Sequence, residues 1–291
     1  MKTRLLSIGL LLLGLFAFGQ TVPAPNLQWQ TALGGSLNEY ATAVQQTADG
    51  GYVLIAQAYS MDGHVTGNDG ECDIWVVKLS GYGMIEWKKA FGGSSVETAT
   101  DIKQTADGGY IVVGGTYSVN GDVTDNAGAL DVWLLKIDAN GVPEWQKTYG
   151  GSAIEMGYSV QQTTDGGYVV AGYTTSTDGD VTGNNGSTDM WIVKVDTLGI
   201  LEWQQSLGGS SAEFAFAILQ TEDGGYAVAG RNTTNGGDGT GNHGGFDAWI
   251  VKLDSTGVLE WQRSMGGTGT DFFFSVKQTP DGGYILAGRT S

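Results

Sequence analysis

The chain predicts an all-β fold made of repeated four-stranded units, and three observations carry that expectation. Trp29, Trp87, Trp145, Trp203 and Trp261 recur every 58 residues without insertion or deletion. Each 58-residue unit holds four strand-like segments separated by glycine-rich turns. Beyond residue 19 no segment keeps a helical hydrophobic period.

The same interval relates Asp49-Gly50-Gly51-Tyr52 to its counterparts at 107–110, 165–168, 223–226 and 281–284. It also relates Asp73-x-Trp75 to Asp131-x-Trp133, Asp189-x-Trp191 and Asp247-x-Trp249, so all nine tryptophans fall at two repeat positions. Within a unit, the first strand is expected over 39–47, where EYATAVQQT alternates and leans polar. The second, 50–58, is rich in β-branched and aromatic residues. The third, DIWVVKL at 73–79, is almost continuously apolar, as in a strand covered on both faces. The fourth is IEWKKAF at 85–91. The TADGG turns between them supply glycine where a tight turn needs positive φ.

A four-stranded unit of this size has the content of a propeller blade, somewhat longer than the WD40 or kelch kinds. Radial stacking would bury both faces of each blade and so account for the apolar third strand and the tryptophans. A β-solenoid competes less well, because its coils are shorter and lack four distinct strands. The reading is therefore a β-propeller of four-stranded antiparallel blades, with four full blades and a partial fifth. Repeats run over about 39–96, 97–154, 155–212 and 213–270, with a partial unit at 271–291 and a lone fourth strand at 26–33. Strand 26–33 is expected either to join the last two strands in an incomplete fifth blade, or to belong to a fragment of a larger propeller. The stop inside a repeat favours the fragment.

Residues 1–19 run from Lys2 and Arg4 through an apolar stretch to Ala17 and Gly19, the layout of a cleaved secretory signal peptide. The apolar stretch is short for a retained anchor, so no membrane insertion of the mature chain is expected. Cys72 is the single cysteine, which leaves no internal disulfide. With 14 basic and 31 acidic residues the formal charge is −17, against the basic footprint of a nucleic-acid binder.

The repeats W-x4-GG, QT-x-DGGY, DGDVTGN and D-x-W-x2-K-x-D resemble those of secreted or cell-surface β-propeller-type proteins of Bacteroidota, some archaea and related microbes. The resemblance covers residues 26–291. It implies an extracellular or surface location, in arrays that often precede adhesion-type domains and a C-terminal sorting domain for type IX secretion. No such tail occurs within this sequence, which again reads as a fragment. The family carries no generally assigned catalytic activity.

Four long loops, 60–73, 118–131, 176–189 and 234–247, are expected at one end of the blades and form the candidate binding face. Asp62, His64, Asn68, Asp122, Asn126, Asn184, Asp238 and Asn242 are its polar candidates. In the third loop Asp178, Asp180, Thr182 and Asp189 sit at positions 1, 3, 5 and 12 with Gly183 at 6, the oxygen spacing of a Ca²⁺ loop. The other three loops degrade the pattern, and position 12 is Asp rather than Glu throughout. The competing reading is an ordered polar turn held by side-chain-to-backbone hydrogen bonds. No other cofactor is indicated.

Glu39, Glu97, Glu155, Glu213 and Asp271 follow each Gly-Gly pair and are expected to accept backbone N–H groups. Lys78, Lys136, Lys194 and Lys252 are expected to pair across a hairpin with Glu86, Glu144, Glu202 and Glu260. The tryptophans read as blade core. Loop aromatics out of register, Tyr82, Phe246 and the Phe272-Phe273-Phe274 run, suit sugar contact better, although the run itself reads as a buried strand. His64 and His243 are non-equivalent, and no nucleophile elbow, HExxH or P-loop is present, so the chain is expected not to be an enzyme. The expected function is a secreted or cell-surface binding or adhesion module for glycans or surface proteins. The alternative is an architectural spacer in a larger surface protein, and a propeller-fold glycoside hydrolase ranks below both.

Overall fold

The computed structural model describes residues 26–233 and 235–291; the leader-like segment 1–19 lies outside them. Eighteen strands form four four-stranded antiparallel sheets and one two-stranded sheet, with no helix among the described residues. The first blade is β1 (Glu39–Gln46), β2 (Tyr52–Ala58), β3 (Asp73–Leu79) and β4 (Ile85–Phe91). The second is β5 (Glu97–Gln104), β6 (Tyr110–Thr116), β7 (Asp131–Ile137) and β8 (Pro143–Tyr149), and the third is β9 (Glu155–Gln162), β10 (Tyr168–Thr174), β11 (Asp189–Val195) and β12 (Leu201–Leu207). The fourth is β13 (Phe214–Gln220), β14 (Tyr226–Asn232), β15 (Asp247–Leu253) and β16 (Leu259–Met265). The hairpin β17 (Phe272–Gln278) and β18 (Tyr284–Arg289) completes the set. The expected third and fourth strands of the first unit match β3 and β4 residue for residue.

Each blade packs on the next in chain order, strand one of a blade lying mainly against strands one and two of its predecessor. The third strands β3, β7, β11 and β15 are buried along their whole length, as their apolar sequences require. Cores form between blades: Val53, Ile55, Ile74 and Val76 of the first blade meet Ala99, Ile102, Val112 and Trp133 of the second. At each DGG turn the first glycine takes positive φ, as Gly166 does at 87°, while the Asp165 carboxylate accepts the Gly167 N–H at 2.9 Å. Glycine adopts that φ without the steric cost a Cβ would bring.

The two tryptophan positions do different work. Fourth-strand Trp87 and Trp145 reach into the following blade, where the indole N–H donates to Ala139 O at 2.9 Å and Thr197 O at 3.2 Å. Their rings meet Tyr110 and Tyr168 edge-on, at 5.8 and 5.7 Å between centroids. The third-strand Trp133, Trp191 and Trp249 are buried and donate within their own blade to Gln146, Gln204 and Gln262. In the first blade Lys88 stands where those glutamines do, and the buried Trp75 Nε1 has no partner among the described residues.

Segment 26–33 departs from expectation. It forms no strand and does not join β17 and β18, which pair only with each other. Trp29 instead donates to Gly81 O at 3.1 Å and meets Tyr52 at 5.6 Å, repeating the Trp87 contact against the first blade. The indole contact is satisfied locally, whereas a strand needs a third-strand neighbour to supply its ladder, and none lies beside it.

The lysine pairs form as expected and prove larger than pairs. Lys194 Nζ lies 2.6 Å from Glu202 and 3.0 Å from Asp165, and also donates to Val195 O, with the lysine side chain only 2% exposed. Lys78, Lys136 and Lys252 repeat the arrangement with Asp49, Asp107 and Asp223. Burial pushes the Asp165 carboxyl up, but hydrogen bonds from Thr163 and Lys194 outweigh it and bring the pKa to about 2. Replacing Lys194 with Met would leave two carboxylates and a carbonyl without their shared donor. Lys194→Met is expected to lower unfolding free energy by about 2–3 kcal/mol, against about 0.2–1 kcal/mol for an isolated cross-strand pair. Urea denaturation measures the difference, and a loss inside the smaller range would reduce the cluster to a surface pair.

Candidate functional site

The long loops do lie together at one end of the blades, since each joins the end of a second strand to the start of a third. Their predicted binding residues, however, are engaged by the chain itself. Asp62 and Asp178 accept the Ser36 and Ser152 N–H groups, both at 2.7 Å. Asp122, Asp180 and Asp238 accept from Gly92, Gly150 and Gly208 at 3.2–3.3 Å, and His64 occupies the same position against Gly34. Asn68, Asn126, Asn184 and Asn242 donate to carbonyls of their own loop stems. Position three of each loop, and position one of the first three, thus tie a blade to the Gly-Gly segment before it.

The four residues with Ca²⁺-like spacing diverge accordingly. Asp178 and Asp180 face Ser152 and Gly150, Thr182 accepts from Gln204, and Asp189 accepts the Asn185 N–H at 3.0 Å. Among the described residues no group of three or more His, Cys, Asp or Glu side chains is arranged to hold a metal. Asp178, Asp180 and Asp189 make the side-chain-to-backbone bonds that a polar turn uses.

Beneath the loops, each blade junction buries carboxylates. Glu155 is fully buried, accepting the Gly151 N–H at 2.8 Å and the Thr174 hydroxyl at 2.7 Å. Glu97 does the same with Gly93 and Thr116. Asp131 and Asp189 each keep one buried oxygen without a hydrogen-bond partner among the described residues. A Cβ on Gly150 would lie 2.5 Å from Asp131 Oδ1 and 2.7 Å from Glu155 Oε2, so only glycine fits between the two carboxylates. Burial, then the charges of Glu155 and Asp180, push the Asp131 pKa up to about 6; Asp189 rises to about 6 and Asp73 to about 7 in the same way. Cys72 is buried and free, and burial pushes its thiol up to about 11.

The feature that breaks the repeat lies at this same end, in the fourth and fifth units. Arg231 stands where earlier units have Gln57, Gly115 and Tyr173. Its guanidinium carbon is 3.9 Å from the Phe246 ring centroid and 4.4 Å from those of Phe214 and Phe272. Arg289, on the next unit, sits 4.8 Å from Phe272 on its own account. The ladder explains the convergence, because Phe214 pairs with Arg231 and Phe272 with Arg289 at the loop end of their hairpins. Neither arginine forms an ion pair among the described residues, and Arg231 Nε is buried without a partner. Burial lowers the Arg231 pKa from its usual value, with Arg289 adding to the effect and Tyr158 opposing it.

Aromatic rings extend the cluster across three units. Tyr158 and Tyr173 meet Phe216 and Phe214 at 5.4 and 5.1 Å, and Phe216 meets Phe274 at 5.4 Å. Phe272 is buried as expected, but Phe274 is 49% exposed, because the ladder register shifts between Phe273 and Ser275 and leaves Phe274 in the bulge. Sequence reasoning marked Phe246 and the phenylalanine run and missed both arginines. The signal available was the repeat itself: read in register, position 231 carries Gln57, Gly115 and Tyr173 in the earlier units, and position 246 carries Cys72, Leu130 and Thr188.

No protein-family model matches the chain, and no curated protein matches it. Solved structures do. One is a protein of unknown function from Bacteroides caccae, 13% identical, with 82% of this chain and 71% of that one covered and a TM-score of 0.45. An endo-1,4-beta-xylanase from Bacteroides thetaiotaomicron is 11% identical, with 88% and 78% covered and a TM-score of 0.40. A Synechocystis apocarotenoid oxygenase mutant is 13% identical at a TM-score of 0.44; 86% of this chain is covered, and it spans about half of that protein, 55%. Two of the three come from Bacteroides species. The expectation that the chain is not an enzyme is corrected here, because structures of similar architecture include a xylanase and an oxygenase. The likeness is one of fold and assigns no activity to this chain.

The junction carboxylates give a pH dependence with a definite sign. An Asp whose pKa is raised on folding stabilises fully below its unfolded value near 4, and that contribution is lost as pH rises through about 6 to 7. The Lys-paired Asp107 and Asp165, lowered to about 2, act oppositely and lose their contribution as pH falls toward that value. The melting temperature is therefore expected to rise as pH is lowered from about 8 to about 5. Asp131→Asn, which keeps the neutral form, should flatten that rise; a profile already flat, or unchanged by the substitution, contradicts protonation at the junctions.

Proposed function

We propose that this chain is an exported, surface-associated propeller module that binds extracellular polysaccharide at the long-loop end of its blades. The observation that carries the reading is the aromatic strip of Tyr158, Phe216 and Phe274 with its neighbours, which crosses three units at a register position held by Thr42 and Thr100 in the first two. Flat ring faces suit the apolar C–H faces of sugars, and a strip across several blades suits a linear chain better than a single small molecule. The signal-like leader and the repeats resembling those of Bacteroidota surface propellers support the location. The loop polar groups are tied to the scaffold, so on this reading they hold the face rigid and the aromatic residues make contact.

Polysaccharide panels in solution and on arrays test this directly. Binding to at least one extracellular polysaccharide is expected, with Phe274→Ala weakening it by about tenfold, the loss of one exposed stacking ring. The same samples should be assayed for released reducing ends, since the architecture also occurs in enzymes. Absence of binding across the panel would leave the architectural spacer as the better account.

A further inference from the structure

We infer that Arg231 and Arg289 form the anion-recognising part of this surface, selecting polysaccharides that carry carboxylates, such as uronic acids. The inference rests on the polysaccharide-binding reading and narrows its ligand. The chain has 14 basic residues against 31 acidic ones, so its general field repels polyanions. Elsewhere the buried cations are neutralised at close range, as at Lys78, Lys136, Lys194 and Lys252. These two arginines are the departure: they share one ring, Phe272, and no carboxylate pairs with either among the described residues.

The energetics point the same way. Enclosing a guanidinium among three phenylalanine rings gains cation–π attraction, but it removes water from a group with five N–H donors that the rings do not satisfy. Arg231 Nε is buried with no acceptor, so the rings hold the guanidinium in place without satisfying it. Two such groups against one ring also repel each other, and Arg289 lowers the Arg231 pKa. A ligand carboxylate relieves both costs, because it matches the planar fork of arginine and neutralises the pair. The exposed ring of Phe274, on the same strand as Phe272, supplies an apolar face two residues away. A sugar carboxylate at the arginines with its ring against aromatic residues combines the two.

Calorimetric titration of the full chain with oligogalacturonate, and with the same oligomer methyl-esterified, separates the possibilities. Oligogalacturonate is expected to bind about tenfold or more tightly than the neutral ester, and more weakly as salt is raised. Arg231→Gln and Arg289→Gln should each remove about tenfold of that preference while leaving the ester's affinity unchanged. Arg289 is exposed at the end of β18, so its variant is expected to keep the wild-type melting temperature and remains a test if Arg231→Gln unfolds. Equal affinity for the two oligomers, or arginine variants that keep the preference, overturns the inference and leaves polysaccharide binding standing. Binding to acidic peptides but to neither oligomer overturns both readings in favour of a protein partner.

Discussion

One backbone hydrogen bond, repeated at every junction, sets the geometry on which the rest depends. The N–H that opens strand one of a blade donates to the carbonyl just before strand three of the blade behind it. Glu97 donates to Cys72 O at 2.7 Å, Glu155 to Leu130 O at 2.7 Å, Glu213 to Thr188 O at 2.8 Å, and Asp271 to Phe246 O at 2.6 Å. The residue that makes this bond is also the buried carboxylate of each junction. Its backbone and side chain therefore fix the next blade at two points, and a charged group is committed where an apolar one would leave N–H groups unpaired.

The loops, the Gly-Gly pairs and the pH dependence follow from that junction. A carboxylate buried at the junction needs donors, and these come from the Gly-Gly backbone and from threonine at the end of strand two. Its approach to a second carboxylate leaves no room for a Cβ, hence the first glycine of the pair. The long loop then folds back over the same Gly-Gly segment through its first and third polar positions. Residues with the spacing of cation ligands serve here to couple neighbouring blades, so a rigid face is assembled from sequences that in isolation look like flexible polar loops.

On that face the strict repeat makes its exceptions informative. Junction chemistry demands the same kind of residue at its own positions in each unit, and side chains beside them change from unit to unit. Phe214, Arg231, Phe246 and Phe272 occupy such positions, and the hairpin registers bring them to one place. The scaffold supplies position, and the departures from the repeat gather the phenylalanine rings and the two arginines.

The 58-residue period, the strand boundaries, the buried third strand and the Lys–Glu pairs were all legible in the chain, because each depends on residue spacing along one blade. Separating the Ca²⁺ reading of Asp178, Asp180, Thr182 and Asp189 from the polar-turn reading was not, because their partners Ser152, Gly150 and Gln204 lie 26, 30 and 22 residues away. The fate of segment 26–33 likewise turned on which blade received Trp29. Phe246 could be marked from its lack of repetition, but Arg231 could not be recognised as its partner, since the two meet only after β14 and β15 pair and the fifth unit closes against the fourth. Periodicity along the chain determined the scaffold; contacts between blades, which no spacing within one unit encodes, decided the site.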